Sequence, residues 1–195
     1  MDETRRRFAD ELLAVGRAHD RDRPRLERFR NVEPDTAELL GILIRACAAR
    51  RILELGTSNG YSTLWLADAA EATGGHVVTV DLDPARTTLA RENLGRAGLD
   101  DRVELRTQDA GTALANGADG EWDFIFLDSE RISYPGYLSN LVRTLKPGGT
   151  LAIDNVLSHE HELVEFTALV RDVESLTQTV VPIGAGLRLA VRDRH

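Results

Sequence analysis

Three side chains with hard oxygen donors follow two apolar runs of this chain. Asp128 closes the run Trp122–Leu127, and the pair Asp154-Asn155 closes Thr150–Ile153. Two carboxylates and one amide oxygen suit magnesium or calcium, with waters or ligand oxygens completing the shell. An acid at the end of a strand is commonplace, so Asp128 alone says little. An adjacent acid and amide ending the neighbouring strand make the trio a metal-ligand candidate, the alternative being a metal-free, hydrogen-bonded polar site.

A second constellation is Glu54-Leu55-Gly56-Thr57-Ser58-Asn59-Gly60-Tyr61-Ser62. It predicts a strand ending at Gly56, a short loop bounded by glycines, and a helix starting near Ser62. Small residues let the backbone approach a ligand, and the helix N-terminus offers N–H donors to an anion. The Gly-x-x-x-Gly spacing is neither a Walker loop nor Gly-x-Gly-x-x-Gly, and taken alone the two glycines could simply serve a turn. Asp81 closes the next run, where an acid can accept both hydroxyls of a ribose. Asp83-Pro84 is better placed than Asp81 to cap the helix that follows. Asp109, after the third run, could accept from an adenine amino group or cap a helix. Ser158-His159-Glu160-His161 offers His159 as an acid or base near neutral pH, against the plainer reading of an exposed helix start. His159 and His161 are two residues apart, which on a helix would point them to different faces.

These groups need a frame. The runs Arg51–Leu55, His76–Val80, Arg102–Leu105, Trp122–Leu127 and Thr150–Ile153 alternate with helical spacing, as in Leu138, Leu141, Val142 and Leu145. Such alternation predicts βαβ units, a parallel sheet and helices on both faces. Lys146-Pro147-Gly148-Gly149 should stop a helix and turn the chain into the next strand. Leu176–Val181 and Arg188–Val191 predict an antiparallel pair closing one sheet edge. Residues 1–48 predict two or three helices, the last at Thr36–Ala48, lying over the C-terminal strand ends where ligands of open sheets bind. With the α/β core at 49–195 they make one domain. Cys47 reads as a small buried hydrophobe. Trp65, Trp122, Tyr134 and Tyr137 read as packing.

The 195 residues carry 24 Lys+Arg against 32 Asp+Glu, a formal charge of −8. Residues 1–30 are net positive, so the rest is more acidic still and disfavours nucleic acid, whose binding depends on cationic neutralisation. The basic arm is the only opening for RNA. No apolar run approaches the roughly 20 residues that span a bilayer, and the N-terminus lacks an apolar secretory segment. A single cysteine excludes an internal disulfide. A soluble, cytoplasmic protein is expected. Lys146 is the only lysine, so lysine chemistry is confined to it.

The ordered motifs Glu54 to Ser62, Val80-Asp81-Leu82-Asp83-Pro84, Phe126-Leu127-Asp128 and Asp154-Asn155-Val156-Leu157 resemble the class I S-adenosylmethionine methyltransferases. Among these the chain is similar to the catechol/caffeoyl-CoA O-methyltransferase family, over residues 30–191 and including Val181 to Leu187. The resemblance implies a Rossmann-like α/β fold whose seven-stranded, mostly parallel sheet has an antiparallel C-terminal strand. It also implies S-adenosylmethionine as cofactor, a homodimer, and a small catechol-like acceptor. By that resemblance Glu54 and Ser62 hold the amino-acid end of the cofactor, Val32 and Gly56 touch it through the backbone, and Thr57 belongs to the same loop. Asp81 takes the ribose, Asp109 and Ala110 border the adenine, and Asp128 serves both cofactor and metal. Asp128, Asp154 and Asn155 bind the divalent metal, which would lower the pKa of a chelated hydroxyl.

One position departs. Where the family's loop reads Asp-x-x-Lys, this chain has Asp128-Ser129-Glu130-Arg131. Arginine stays protonated and cannot replace a lysine base. Arg131 would stabilise a phenolate or bind a substrate carboxylate, leaving deprotonation to the metal, a pre-ionised substrate or another base such as His159. Metal-independent methyl transfer and methylation of a modified tRNA base are the alternatives. A nicotinamide oxidoreductase is disfavoured by the absent Gly-x-Gly-x-x-Gly, and a non-catalytic cofactor-binding protein by the retained metal trio.

Overall fold

The computed structural model describes residues 1–194. Strands β1 (Arg51–Leu55), β2 (His76–Asp81), β3 (Val103–Thr107), β4 (Trp122–Leu127), β5 (Leu145–Ile153), β6 (Leu176–Val181) and β7 (Leu187–Arg192) form one sheet in the order β3-β2-β1-β4-β5-β7-β6. The first five pair in parallel, and β7 runs antiparallel between β5 and β6. β1 and β4, at the centre, are covered on both faces, which is why they read as near-continuous apolar runs.

Period-2 alternation divides the strand side chains between two cores. Ile52, Val77, Phe124 and Phe126 share one with helices α1 (Glu3–Asp20), α2 (Pro34–Ala46) and α3 (Tyr61–Thr73). Leu53, Leu55, Val80, Ile125 and Leu127 share the other with α5 (Ala110–Asn116), α6 (Tyr134–Thr144) and α7 (Val164–Arg171). Between β2 and β3 runs α4 (Pro84–Arg96), capped by the Asp83 carboxylate, which accepts from Ala85 N–H at 2.8 Å. Among the described residues no helix is long and apolar enough to cross a membrane.

Several expectations need correcting. α1 and α2 do not lie over the strand ends; they pack beside α3 on one face of the sheet, and the segment 21–33 between them makes the crossing. α2 begins at Pro34, in the first helical turn where a missing N–H costs nothing, and ends at Ala46, because Ala48 takes a left-handed conformation at φ 51°. Cys47 is therefore an exposed helix end rather than a buried hydrophobe. Lys146-Pro147-Gly148-Gly149 does not precede β5 but bulges within it: Leu145 pairs with Trp122, and the next pair is Thr150 with Phe124.

Past the strand ends the ladder continues by single bonds. Gly56 N–H donates to Val80 O (2.9 Å), Asp128 N–H to Leu55 O (3.0 Å) and Asp154 N–H to Leu127 O (3.2 Å). These bonds bring the glycine loop and both aspartates to one edge. Gly56 sits at φ 111°, and a Cβ there would lie 2.2 Å from the Asp128 carbonyl oxygen. Replacing Gly56 by Ala should therefore destabilise the fold by about 2 kcal/mol or more, read as a lowered urea midpoint. A wild-type midpoint would contradict the close approach.

Candidate active site

A cavity of about 830 Å³ opens at this edge, over the ends of β1, β2, β4 and β5. Its roof is the segment 21–33, which buries little and is held by polar contacts. The Asp20 carboxylate accepts from the N–H groups of Phe29 (2.7 Å) and Arg30 (2.8 Å), and the His19 ring stacks on Phe29 at 3.9 Å. Ser58 Oγ donates to Phe29 O (2.7 Å), while Arg86 donates to the carbonyls of Leu26 and Arg28. Arg25 and Arg30 both pair with Glu130, the residue two beyond Asp128. Apart from Val32, sequence reasoning missed the roof because it has no apolar periodicity; its run of arginines acquires meaning only with Glu130 opposite.

One side of the cavity is built around Asp81 and the glycine loop. Asp81 Oδ2 accepts from Ser58 N–H (2.9 Å) and Oδ1 from Asp83 N–H (3.0 Å), so the carboxylate is held fixed at the cavity wall. Val32, Gly56, Ser62, Asp109 and Ala110 also line it. Asp109 caps α5, its Oδ1 accepting from Thr112 N–H at 2.8 Å, so the capping alternative describes that oxygen. Glu54 and Thr57 do not line the cavity. Alternation along β1 turns Glu54 toward α3, where it is wholly buried beside Thr79, its cross-strand partner. Oε1 accepts from Ser62 Oγ (2.6 Å), and Oε2 from the hydroxyls of Thr63 and Thr79 (2.7 Å to the latter). Thr57 Oγ1 is bonded to Thr79 Oγ1 at 2.6 Å, below the loop. Burial pushes the Glu54 carboxyl up to about 7, against the lowering effect of the three hydroxyls.

The other side holds the hard donors. Asn155, at φ 67°, donates through Nδ2 to Asp128 Oδ1 (3.0 Å) and Asp154 Oδ2 (3.1 Å). Asp154 Oδ1 is buried without a hydrogen-bond partner. Burial raises both carboxyls above the usual aspartate range, and at Asp154 the neighbouring Asp128 raises it further. Among the described residues no three His, Cys, Asp or Glu side chains converge on a metal. Two carboxylates, one of them with an orphaned oxygen, and an amide nonetheless fit a hard cation that keeps several water ligands.

Arg131 and His159 flank this trio. Arg131 is buried in a short 3-10 turn, and its Nε donates to Glu162 Oε2 at 2.8 Å. His159 is half-buried; its N–H donates to Asn155 O (3.1 Å), and Nδ1 lies 2.8 Å from Ser158 Oγ. Burial, followed by the charge of Arg131, lowers the His159 pKa and so favours the neutral ring. His159 does not start an α-helix but precedes a three-residue 3-10 turn, so its ring stacks near that of His161 (6.4 Å) instead of pointing away. Tyr134 is wholly buried and braces the Asp128 loop, accepting from Ser129 N–H (3.0 Å) and donating to Ser129 O (3.1 Å); Tyr137 lines the cavity.

The model of the O-methyltransferase family matches residues 11–192. This chain belongs to that family. Catechol O-methyltransferases of Niastella koreensis and Mycobacterium tuberculosis are 36% identical over 130 residues and 37% over 126, in each case 65% of this chain. The matched part covers 58% and 57% of their own lengths. An O-methyltransferase from Bacillus cereus, solved in complex with SAH, superposes with a TM-score of 0.81 at 30% identity, over 95% of this chain and 90% of that one. The class I fold and the catechol/caffeoyl-CoA type that the motifs resemble are thus those of the family.

The Glu54 cluster underlies the glycine loop and makes stability depend on pH. A carboxyl raised from 4.5 to about 7 on folding contributes stability that is complete below pH 4.5 and is lost as the pH rises through 7. The loss is about 3 kcal/mol. Glu54→Gln should remove that share of the decline, so the gap between wild-type and variant unfolding free energies should change across pH 4.5–7. A constant gap would show that Glu54 does not titrate this way.

Proposed function

We propose that the protein transfers a methyl group from S-adenosylmethionine to a hydroxyl of a small catechol-like acceptor, aided by a divalent cation. What supports this most is that one cavity joins a nucleotide-type wall to a two-carboxylate-and-amide corner, with Asp128 between them. The arginines of the N-terminal arm add support for a small acceptor over tRNA. Seven of the nine arginines in residues 1–30 (Arg5, Arg6, Arg7, Arg17, Arg23, Arg25 and Arg30) are paired with acids of this chain, which lessens the charge offered to RNA.

Asp81, pinned by two backbone N–H groups, is oriented to accept the ribose hydroxyls. Ala110 and Asp109 border the adenine, while Ser62, Val32 and the Gly56 backbone meet the amino-acid end. Glu54 acts from below by orienting Ser62. The cofactor supplies a methyl group already activated by its sulfonium, so placing the acceptor oxygen behind that bond carries much of the catalysis. Asp128, Asp154 and Asn155 would hold the cation, which supplies positive charge that acidifies a hydroxyl. Arg131 adds a fixed positive charge on the acceptor side. Neutral His159, with Nδ1 tied to Ser158, leaves Nε2 to receive the hydroxyl proton.

Methyl transfer to a panel of ortho-dihydroxy aromatics should be abolished by EDTA and restored by magnesium; turnover persisting in EDTA would refute the metal. His159→Ala should lower kcat by about 100-fold. An unchanged rate across pH 6–9 would remove His159 from the mechanism and leave deprotonation to the cation.

A further inference from the structure

Arg131 is an unusual cation. Its side chain is 4% exposed and it lines the cavity. Nε is committed to Glu162, and among the described residues neither terminal nitrogen makes a hydrogen bond. The charge acts on Asp128, Asp154 and His159, yet Arg131 forms an ion pair with neither aspartate. Of the other arginines lining the cavity, Arg25 and Arg30 share Glu130, Arg86 donates to backbone carbonyls, and Arg28 is an exposed roof residue whose Nε donates to Arg23 O. A buried charge is costly unless paired and hydrogen-bonded. Arg131 is thus held rigidly by one nitrogen, with the end of its planar fork open beside the acceptor corner.

We propose that Arg131 is a carboxylate anchor, and that the preferred acceptors are dihydroxy aromatic acids rather than neutral catechols. The terminal nitrogens would receive the carboxylate through two parallel charge-assisted hydrogen bonds, a geometry that suits arginine and not lysine. Glu162 is a positioning residue, since its bond to Nε sets the rotation of the fork. This inference rests on the acceptor reading above.

Calorimetry on the SAH-loaded protein with magnesium, using 3,4-dihydroxybenzoate, catechol and benzoate, tests it. The dihydroxy acid should bind about 10- to 100-fold more tightly than catechol. Arg131→Gln should collapse that ratio toward one, and Arg131→Lys should keep part of it. Benzoate, which lacks the diol, reports the anchor alone; its binding should be lost in Arg131→Gln and weakened in Glu162→Gln. Catechol binding as tightly as the acid, a ratio unmoved by Arg131→Gln, or no benzoate binding to the wild type would each overturn the anchor. If benzoate binds through Arg131 but neither diol is methylated, the anchor stands and the catechol reading fails. If Arg131→Gln weakens both diols alike, the charge serves the shared phenolate and the anchor falls. Should Arg131→Gln not fold, the wild-type ratio and Arg131→Lys still decide.

Discussion

The backbone at residue 56 runs so close to the Asp128 carbonyl that no side chain fits between them. β1 stands at the centre of the sheet, with β2 on one side and β4 on the other. Gly56 bonds to the end of β2, while Asp128 bonds back to the end of β1. The loop on the β2 side and the acidic corner on the β4 side thus meet across one glycine. This is the place where strand order reverses and where open α/β sheets bind ligands. If the gap were wider, the Asp81 wall and the hard-donor corner would belong to separate pockets.

The site is assembled from charges whose solvation is replaced in different ways. Glu54 is compensated by three hydroxyls and carries the glycine loop without touching the cavity. Asp128 and Asp154 share one amide and leave an orphaned oxygen, so this corner is not fully satisfied by the protein's own residues. Polar networks of this sort are stable only when complete, which makes the unsatisfied members the natural contacts for ligands. The roof follows the same logic. Its apolar anchors are few, the Phe29–His19 stack and buried Val32, and Glu130 ties it to the loop bearing Asp128.

Much of the site was legible because its residues follow directly on strand ends. Asp81, Asp128 and the Asp154-Asn155 pair could be placed at one edge from the alternation of runs alone, and Asp83-Pro84 identified the start of α4. Errors arose where a side chain's direction or a neighbour decided the matter. Glu54 lies in a ligand-contact motif, but strand parity turns it away from the cavity. His159 and His161 were separated by assuming an α-helix, whereas the 3-10 turn brings their rings together. Cys47 was placed in a helix that ends one residue earlier.

The sequence by itself determined the class of fold, the sheet edge at which the candidate site lies and the donor types available there. Period-2 and helical spacing, glycines and acids at strand ends are local properties, readable residue by residue. Only the tertiary structure decided that the segment 21–33 rather than the N-terminal helices roofs the cavity, that Glu130 clasps it, and that Arg131 is held by Glu162. Each of these is a pairing between residues tens of positions apart. Their energy depends on distance and burial, which no local pattern encodes.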